Sequence, residues 1–166
     1  FQLCVLSPRY TGMACKNYQP VGFRFHPTDK ELIDHYLRLK INGFEEKVSI
    51  IPEVDICKWE PSDLPGLSVI ETNDNEWYFF CRNDRRYPNG GRVRRATKGG
   101  YWKATGNDRR IKFGRKEIGR KKILVFHTGR GSKAKRTGWK IHEYHATDRT
   151  VDSTHAAQVM LNVYRS

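Results

Sequence analysis

A chain of 166 residues is long enough for one domain with its own apolar core and too short for two comfortable ones. At 37% hydrophobic and 12% aromatic residues it is too apolar for a disordered chain, although 30% of it is charged. Lys and Arg outnumber Asp and Glu by 31 to 18, a formal charge of +13 that points to a polyanionic partner. The charge is segregated. Residues 29–76 hold 12 acids and 5 bases, whereas residues 82–122 hold 16 bases and 3 acids, and residues 130–140 add five bases and no acid. One half repels phosphate and the other attracts it, which implies a single face presented to the polyanion. Cys4, Cys15, Cys57 and Cys81 form no CxxC pair and are sparse for a disulfide scaffold, so a reducing compartment is expected. No apolar run is long enough for a membrane-spanning helix.

In chain order, residues 1–16 are read as a disordered leader or a fragment artefact, outside the fold. Leu32, Ile33, Tyr36, Leu37 and Ile41 then recur at helical spacing, which predicts an amphipathic helix over residues 29–41. Thr28 is a suitable N-cap with Glu31 three residues on completing a capping box, Asp29 favours the helix dipole, and Asn42-Gly43 supplies the stop. A second, shorter helix is predicted over 53–58, between Pro52 and Pro61. From residue 76 onward, short aromatic or β-branched runs alternate with Gly, Pro and Asn. They predict antiparallel strands at 76–81, 100–105, 109–113, 122–127 and 137–144. Tyr101 to Thr105 does not alternate cleanly between polar and apolar, which suits a strand with both faces in use at a sheet edge.

Several stretches resemble the NAC domain of plant transcription factors. They are Val21-Gly22-Phe23-Arg24-Phe25-His26-Pro27-Thr28-Asp29, Asp55-Ile56-Cys57-Lys58-Trp59-Glu60-Pro61, Asp63-Leu64-Pro65 and Glu76-Trp77-Tyr78-Phe79-Phe80. Arg86-Tyr87-Pro88-Asn89-Gly90, Arg95-Ala96-Thr97, Gly100-Tyr101-Trp102-Lys103-Ala104-Thr105-Gly106 and His142-Glu143-Tyr144 follow in the family's order, so that residues 20–150 are covered. The resemblance implies an α+β fold, a twisted antiparallel β-sheet flanked by a few short helices, similar to WRKY-type domains but without their zinc. It also implies a DNA-binding and dimerisation domain over 17–166, a nuclear location, homodimers or heterodimers with other NAC proteins, and promoter sites with a CGTG or CACG core. No cofactor and no metal are expected. Three positions depart from the family's pattern. Asn107 stands where the family often has Lys, Val21 where it often has Pro, and 158–164 only loosely resembles the closing strand.

A strand edge can enter the major groove, where base edges carry a distinct pattern of donors and acceptors. Lys103 offers a donor to guanine or phosphate, Ala104 and Thr105 offer methyl groups to a thymine methyl, and Gly106 permits close backbone approach. Trp102 is read as core. Arg86, Arg92, Arg94, Arg95 and Lys98, with Arg130 and Lys133 on a later Gly-rich loop, supply phosphate contacts. Arg92, Arg95, Arg130 and Lys133 match family positions at or beside the DNA. Against a merely solvated charged surface, charge and motif point to the same face. By resemblance the dimer forms through Gln19, Pro20, Val21, Gly22, Phe23, Arg24 and Glu31, with Arg24 of one chain bridging Glu31 of the other.

Rival readings fare worse. A nonspecific RNA-binding basic protein would not need these ordered motifs. A metal-dependent nuclease needs clustered carboxylates within the basic region, which holds only Asp84, Asp108 and Glu117. His142-Glu143-Tyr144-His145 lacks the one-turn spacing of an HExxH zinc site, so no enzyme is expected.

Overall fold

The computed structural model describes residues 22, 24–82, 95–147 and 158–166. These residues form a five-stranded antiparallel sheet of order β1-β5-β4-β3-β2, with β1 at Glu76–Arg82, β2 at Gly100–Phe113, β3 at Lys116–Thr128, β4 at Lys135–Ala146 and β5 at Gln158–Arg165. The flanking helical structure is one continuous helix and several single 3-10 turns, so the α+β class read from the sequence is borne out.

The helix begins where its capping box predicts. Thr28 Oγ1 accepts the Glu31 N–H at 3.3 Å, and the Glu31 carboxylate accepts the Thr28 N–H at 2.8 Å. It opens as α-helix over Asp29–Glu31, runs as π-helix over Leu32–Leu37 and closes as α-helix over Arg38–Ile41. Gly43, at φ +79°, ends it in the left-handed region that glycine enters without steric cost. Leu32, Ile33, Leu37 and Ile41 pack on the sheet against Tyr78, Phe80, Ile111, Ile118, Tyr144 and Met160. Lys121 and Tyr144 tie the helix start to the sheet, with Lys121 Nζ and the Tyr144 hydroxyl donating to Asp29 Oδ1 at 2.9 and 2.7 Å.

Alternation along β1 sends Tyr78 and Phe80 to this face. Phe79 and Cys81 go to the other, where Leu64, Trp102, Leu124, Phe126, Ile141, Leu161 and Val163 form a second core. The sheet thus carries an apolar core on each face.

The sheet adds one strand to those predicted and corrects one expectation. The segment 158–164, the stretch that only loosely matches the family's closing strand, forms β5, which lies between β1 and β4 with Val159 to Val163 buried throughout. Residues 53–58 do not form a helix. Glu53 makes a parallel bridge to Phe80, and the Phe80 N–H and C=O bond Pro52 and Val54, so this stretch lies extended along the open edge of β1. Asp55 then turns the chain, its side chain accepting the Cys57 N–H at 3.0 Å and its carbonyl the Lys58 N–H at 3.0 Å. Satisfying the edge of β1 outweighs the weak helical propensity of six residues.

The β5 strand is also fastened through its side chains. The Tyr164 hydroxyl lies 2.9 Å from His142 Nε2 on β4, and neutral imidazole can accept its proton there. Burial first, then the Lys121 charge, push the His142 pKa down to about 4 against the attraction of Asp29, and Arg109 and Lys140 add to the effect. The unfolded chain binds this proton below about pH 6.5 while the folded chain refuses it. Stability is therefore fully present above about pH 6.5 and is lost as pH falls toward 4. We expect the melting temperature to drop across this window and His142→Gln to flatten part of the drop. Parallel curves for the two proteins would remove His142 as the cause.

Candidate nucleic-acid interface

The strand β2 is the free edge of the sheet, and its two ends are held differently from its middle. Trp102, 3% exposed, meets Phe126 edge-on at 5.0 Å between ring centroids in one core, and Ile111 is buried in the other. All residues from 103 to 110 are exposed. At about 3.3 Å per residue, these eight span roughly 26 Å, more than the width of a major groove.

The outer backbone of β2 is covered at its start. Residues 95–99 run beside it as a strap: the Trp102 N–H donates to the Arg95 carbonyl at 2.7 Å, Ala96 bridges Tyr101, and the Thr97 N–H donates to the Gly100 carbonyl at 2.9 Å. Among the described residues the strap pairs with Gly100 to Trp102, and the exposed stretch of β2 begins at Lys103. Pairing with β3 is then interrupted, because Thr105 lies opposite Ile123 and Arg109 opposite Lys121, leaving Gly106, Asn107 and Asp108 against Lys122 alone. This bulge requires Gly106, whose φ of +71° is unfavourable for side-chain-bearing residues. A bulge also twists an edge away from pairing with other sheets and re-aims its side chains.

Lys103, Ala104, Thr105 and Gly106 thus lie together on the exposed edge. Lys98 is exposed on the strap, and Arg130 and Lys133 are exposed on the β3–β4 turn, where Gly131–Lys133 forms a 3-10 turn. The Gly129 N–H donates to the Gly99 carbonyl at 2.9 Å, which brings this basic turn beside the strap. Lys98, Lys103, Arg130 and Lys133 form no ion pair among the described residues. Arg95 differs from them. Its guanidinium is turned into the protein, with Nη2 2.9 and 3.0 Å from the two oxygens of the Glu143 carboxylate. Arg86, Arg92 and Arg94 lie outside the described residues.

Of the residues expected at a dimer interface, Arg24 Nη1 lies 3.2 Å from Asp74 Oδ1, and Glu31 is engaged in its own capping box. Gly22 is described and exposed, with φ +88°. Gln19, Pro20, Val21 and Phe23 lie outside the described residues. Sequence reasoning passed over the bulge and the two carboxylates that hold the strap, Glu60 and Glu143. Both carboxylates sit inside stretches that marked the family resemblance, and a lone acid at 143 following five bases was the available signal.

The Cys81 thiol is buried in the second core and its pKa is pushed up to about 12, chiefly by burial, so it is a poor nucleophile or metal ligand at neutral pH. Among the described residues no three His, Cys, Asp or Glu side chains gather as a metal site would require, and no helix is long and apolar enough to cross a membrane.

Comparison with known proteins agrees with this geometry. The family model described as No apical meristem (NAM) protein matches residues 20–146, through the end of β4. The chain belongs to the NAC family. It is 61% identical over 125 residues to NAC domain-containing protein 86 of Arabidopsis thaliana, a match covering 75% of this chain and 26% of that protein. It is 54% identical over 134 residues to NAC domain-containing protein 54 of Oryza sativa subsp. japonica, covering 81% of this chain and 21% of that protein. This NAC chain thus spans about a quarter of the length of these relatives.

Proposed function

We propose that residues 17–166 form a DNA-binding and dimerisation domain of a plant transcription factor. It acts in the nucleus, on double-stranded promoter DNA with a CGTG or CACG core. The observation that carries this reading is the exposed middle of β2, eight residues of edge strand anchored by Trp102 and Ile111 and bordered by cations that form no ion pair among the described residues. Lys103, Ala104, Thr105 and Gly106 form the reading edge in the major groove. Lys98, Arg130 and Lys133 hold phosphates, together with Arg86, Arg92 and Arg94. Base contacts specify and phosphate contacts position, so specificity resides in the small edge and affinity in the surrounding charge.

Competition among a duplex with a CGTG core, a scrambled duplex and a structured RNA tests the reading. Preference for the first supports it, and equal binding of all three replaces it with a nonspecific polyanion binder.

Dimerisation is assigned to Gln19, Pro20, Val21, Gly22, Phe23, Arg24 and Glu31, with Arg24 exchanged between chains and homodimers or mixed NAC dimers as the products. An exposed ion pair contributes about 0 to 1 kcal/mol, so strand pairing and apolar contacts must supply most of the dimer's stability. Arg24→Glu places like charge against Asp74 and Glu31, and sedimentation should show a severalfold weaker dimer. An unchanged dimer would refute the role of Arg24.

A further inference from the structure

We infer that Glu143 and Glu60 are positioning residues for the DNA-reading edge, two carboxylates that clamp the strap at 95–99 against Gly100 to Trp102 and so align the exposed stretch of β2 that follows. In this arrangement Arg95 belongs to the clamp and does not contact phosphate. The inference rests on the proposed DNA reading of β2.

Glu143 lies on β4, opposite Lys122 of β3 and Leu161 of β5, with its side chain only 6% exposed. Arg95 Nη2 reaches both of its oxygens, and His145 Nε2, two residues on and hence on the same face, lies 2.6 Å from Oε1. Burial raises the pKa of this carboxyl, but the His145 hydrogen bond and the charges of Arg95, His145 and Lys122 outweigh it and hold the group ionised. If the guanidinium swung out to a phosphate, it would leave a buried carboxylate without its main counter-charge, a costly exchange for a solvent-screened contact.

The other end of the strap is held by Glu60, half-buried in the segment before Pro61. Its two oxygens accept the Thr97 hydroxyl at 3.0 Å and the Gly99 N–H at 2.8 Å. Gly99 leaves the space this needs, since a Cβ there would lie 3.0 Å from Glu60 Oε2. Between these fastenings the strap makes its backbone bonds to Gly100 and Trp102, and Gly99 holds the turn that carries Arg130. Releasing either carboxylate frees the covered backbone at Tyr101 and Trp102, the alignment of Lys103 beyond it and the position of the basic turn.

The sign of the effect separates a clamp from a bystander. Neutralising an acidic group close to DNA strengthens binding if the group acts only through its charge. The clamp requires the reverse. We expect Glu143→Gln and Glu60→Ala each to weaken binding of the CGTG duplex about tenfold, with a much smaller loss on the scrambled duplex. Arg95→Met should weaken cognate binding while leaving the slope of log affinity against log salt unchanged, in contrast to Arg130→Ala, which should lower its magnitude by about one. Melting curves identify variants that are folded. If Glu143→Gln does not fold, Glu60→Ala, in a half-exposed loop, carries the same test. Wild-type protein that does not discriminate the duplexes overturns the DNA reading itself. Wild-type discrimination with equal or tighter cognate binding by folded Glu60→Ala overturns the clamp alone, as does a salt slope reduced by about one in Arg95→Met.

Discussion

Gly100→Ala should abolish specific DNA binding and cost more than about 3 kcal/mol of stability, a large share of the roughly 5–15 kcal/mol that holds a domain folded. A Cβ at this position would lie 2.1 Å from the His127 carbonyl oxygen and 2.7 Å from the Phe126 ring. The ring can turn, but the carbonyl belongs to β3 directly beside the pairing of Gly100 with Thr128, and it cannot retreat without unzipping the start of β2. The same movement would displace Trp102 from its core and pull Thr97 from the hydrogen bonds it shares with Gly100. A loss of this size should lower the melting temperature by about 10 °C. DNA binding measured below the new transition should also fail to discriminate, because the reading edge would have lost its anchored start. A melting temperature within about 2 °C of the parent would show that the backbone yields at little cost and that this account of the strand start is mistaken.

The second large effect is ionic. If about six to eight phosphates are neutralised, the slope of log affinity against log salt should be roughly −5 to −7, and raising salt from about 50 to about 200 mM should weaken binding about 10³- to 10⁴-fold. Lys98, Lys103, Arg130 and Lys133, exposed and without an ion pair among the described residues, supply part of this number, and Arg86, Arg92 and Arg94 are assigned the rest. Within that total the roles divide. Lys103→Ala should reduce discrimination between cognate and scrambled duplexes, whereas Arg130→Ala should weaken both similarly. The reverse pattern would show that the reading edge and the anchors have been exchanged, and a slope near zero would sink the phosphate mechanism altogether.

What could be read from the sequence was what is local. The helix start depends on four neighbouring residues, Thr28 to Glu31, and its buried face on spacing within 13, so both were legible. The antiparallel strands and the edge position of Tyr101 to Thr105 were legible from turn residues and imperfect alternation. The missed features depend on distant partners. Glu53 to Lys58 is extended because Phe80 offers an unpaired edge, and β5 is central because β1 and β4 close on it from both sides. The strands predicted at 100–105 and 109–113 are one strand, and the break between them is the bulge opposite Lys122. In the candidate interface, exposure of 103–106 followed from the imperfect alternation of this strand, whereas the inward turn of Arg95 was not legible. It depends on a carboxylate 48 residues away that only the sheet register brings close.

Because Gly106, Asn107 and Asp108 project where β3 offers only Lys122, the side chains of Asn107 and Asp108 bear on neither core. Trp102 and Ile111 hold the strand on either side, so a substitution at 107 need not be compensated elsewhere in the domain. On the proposed reading of this edge, binding preference can therefore drift between related chains one residue at a time while folding stability stays level, and this edge is where recently duplicated copies should first part company.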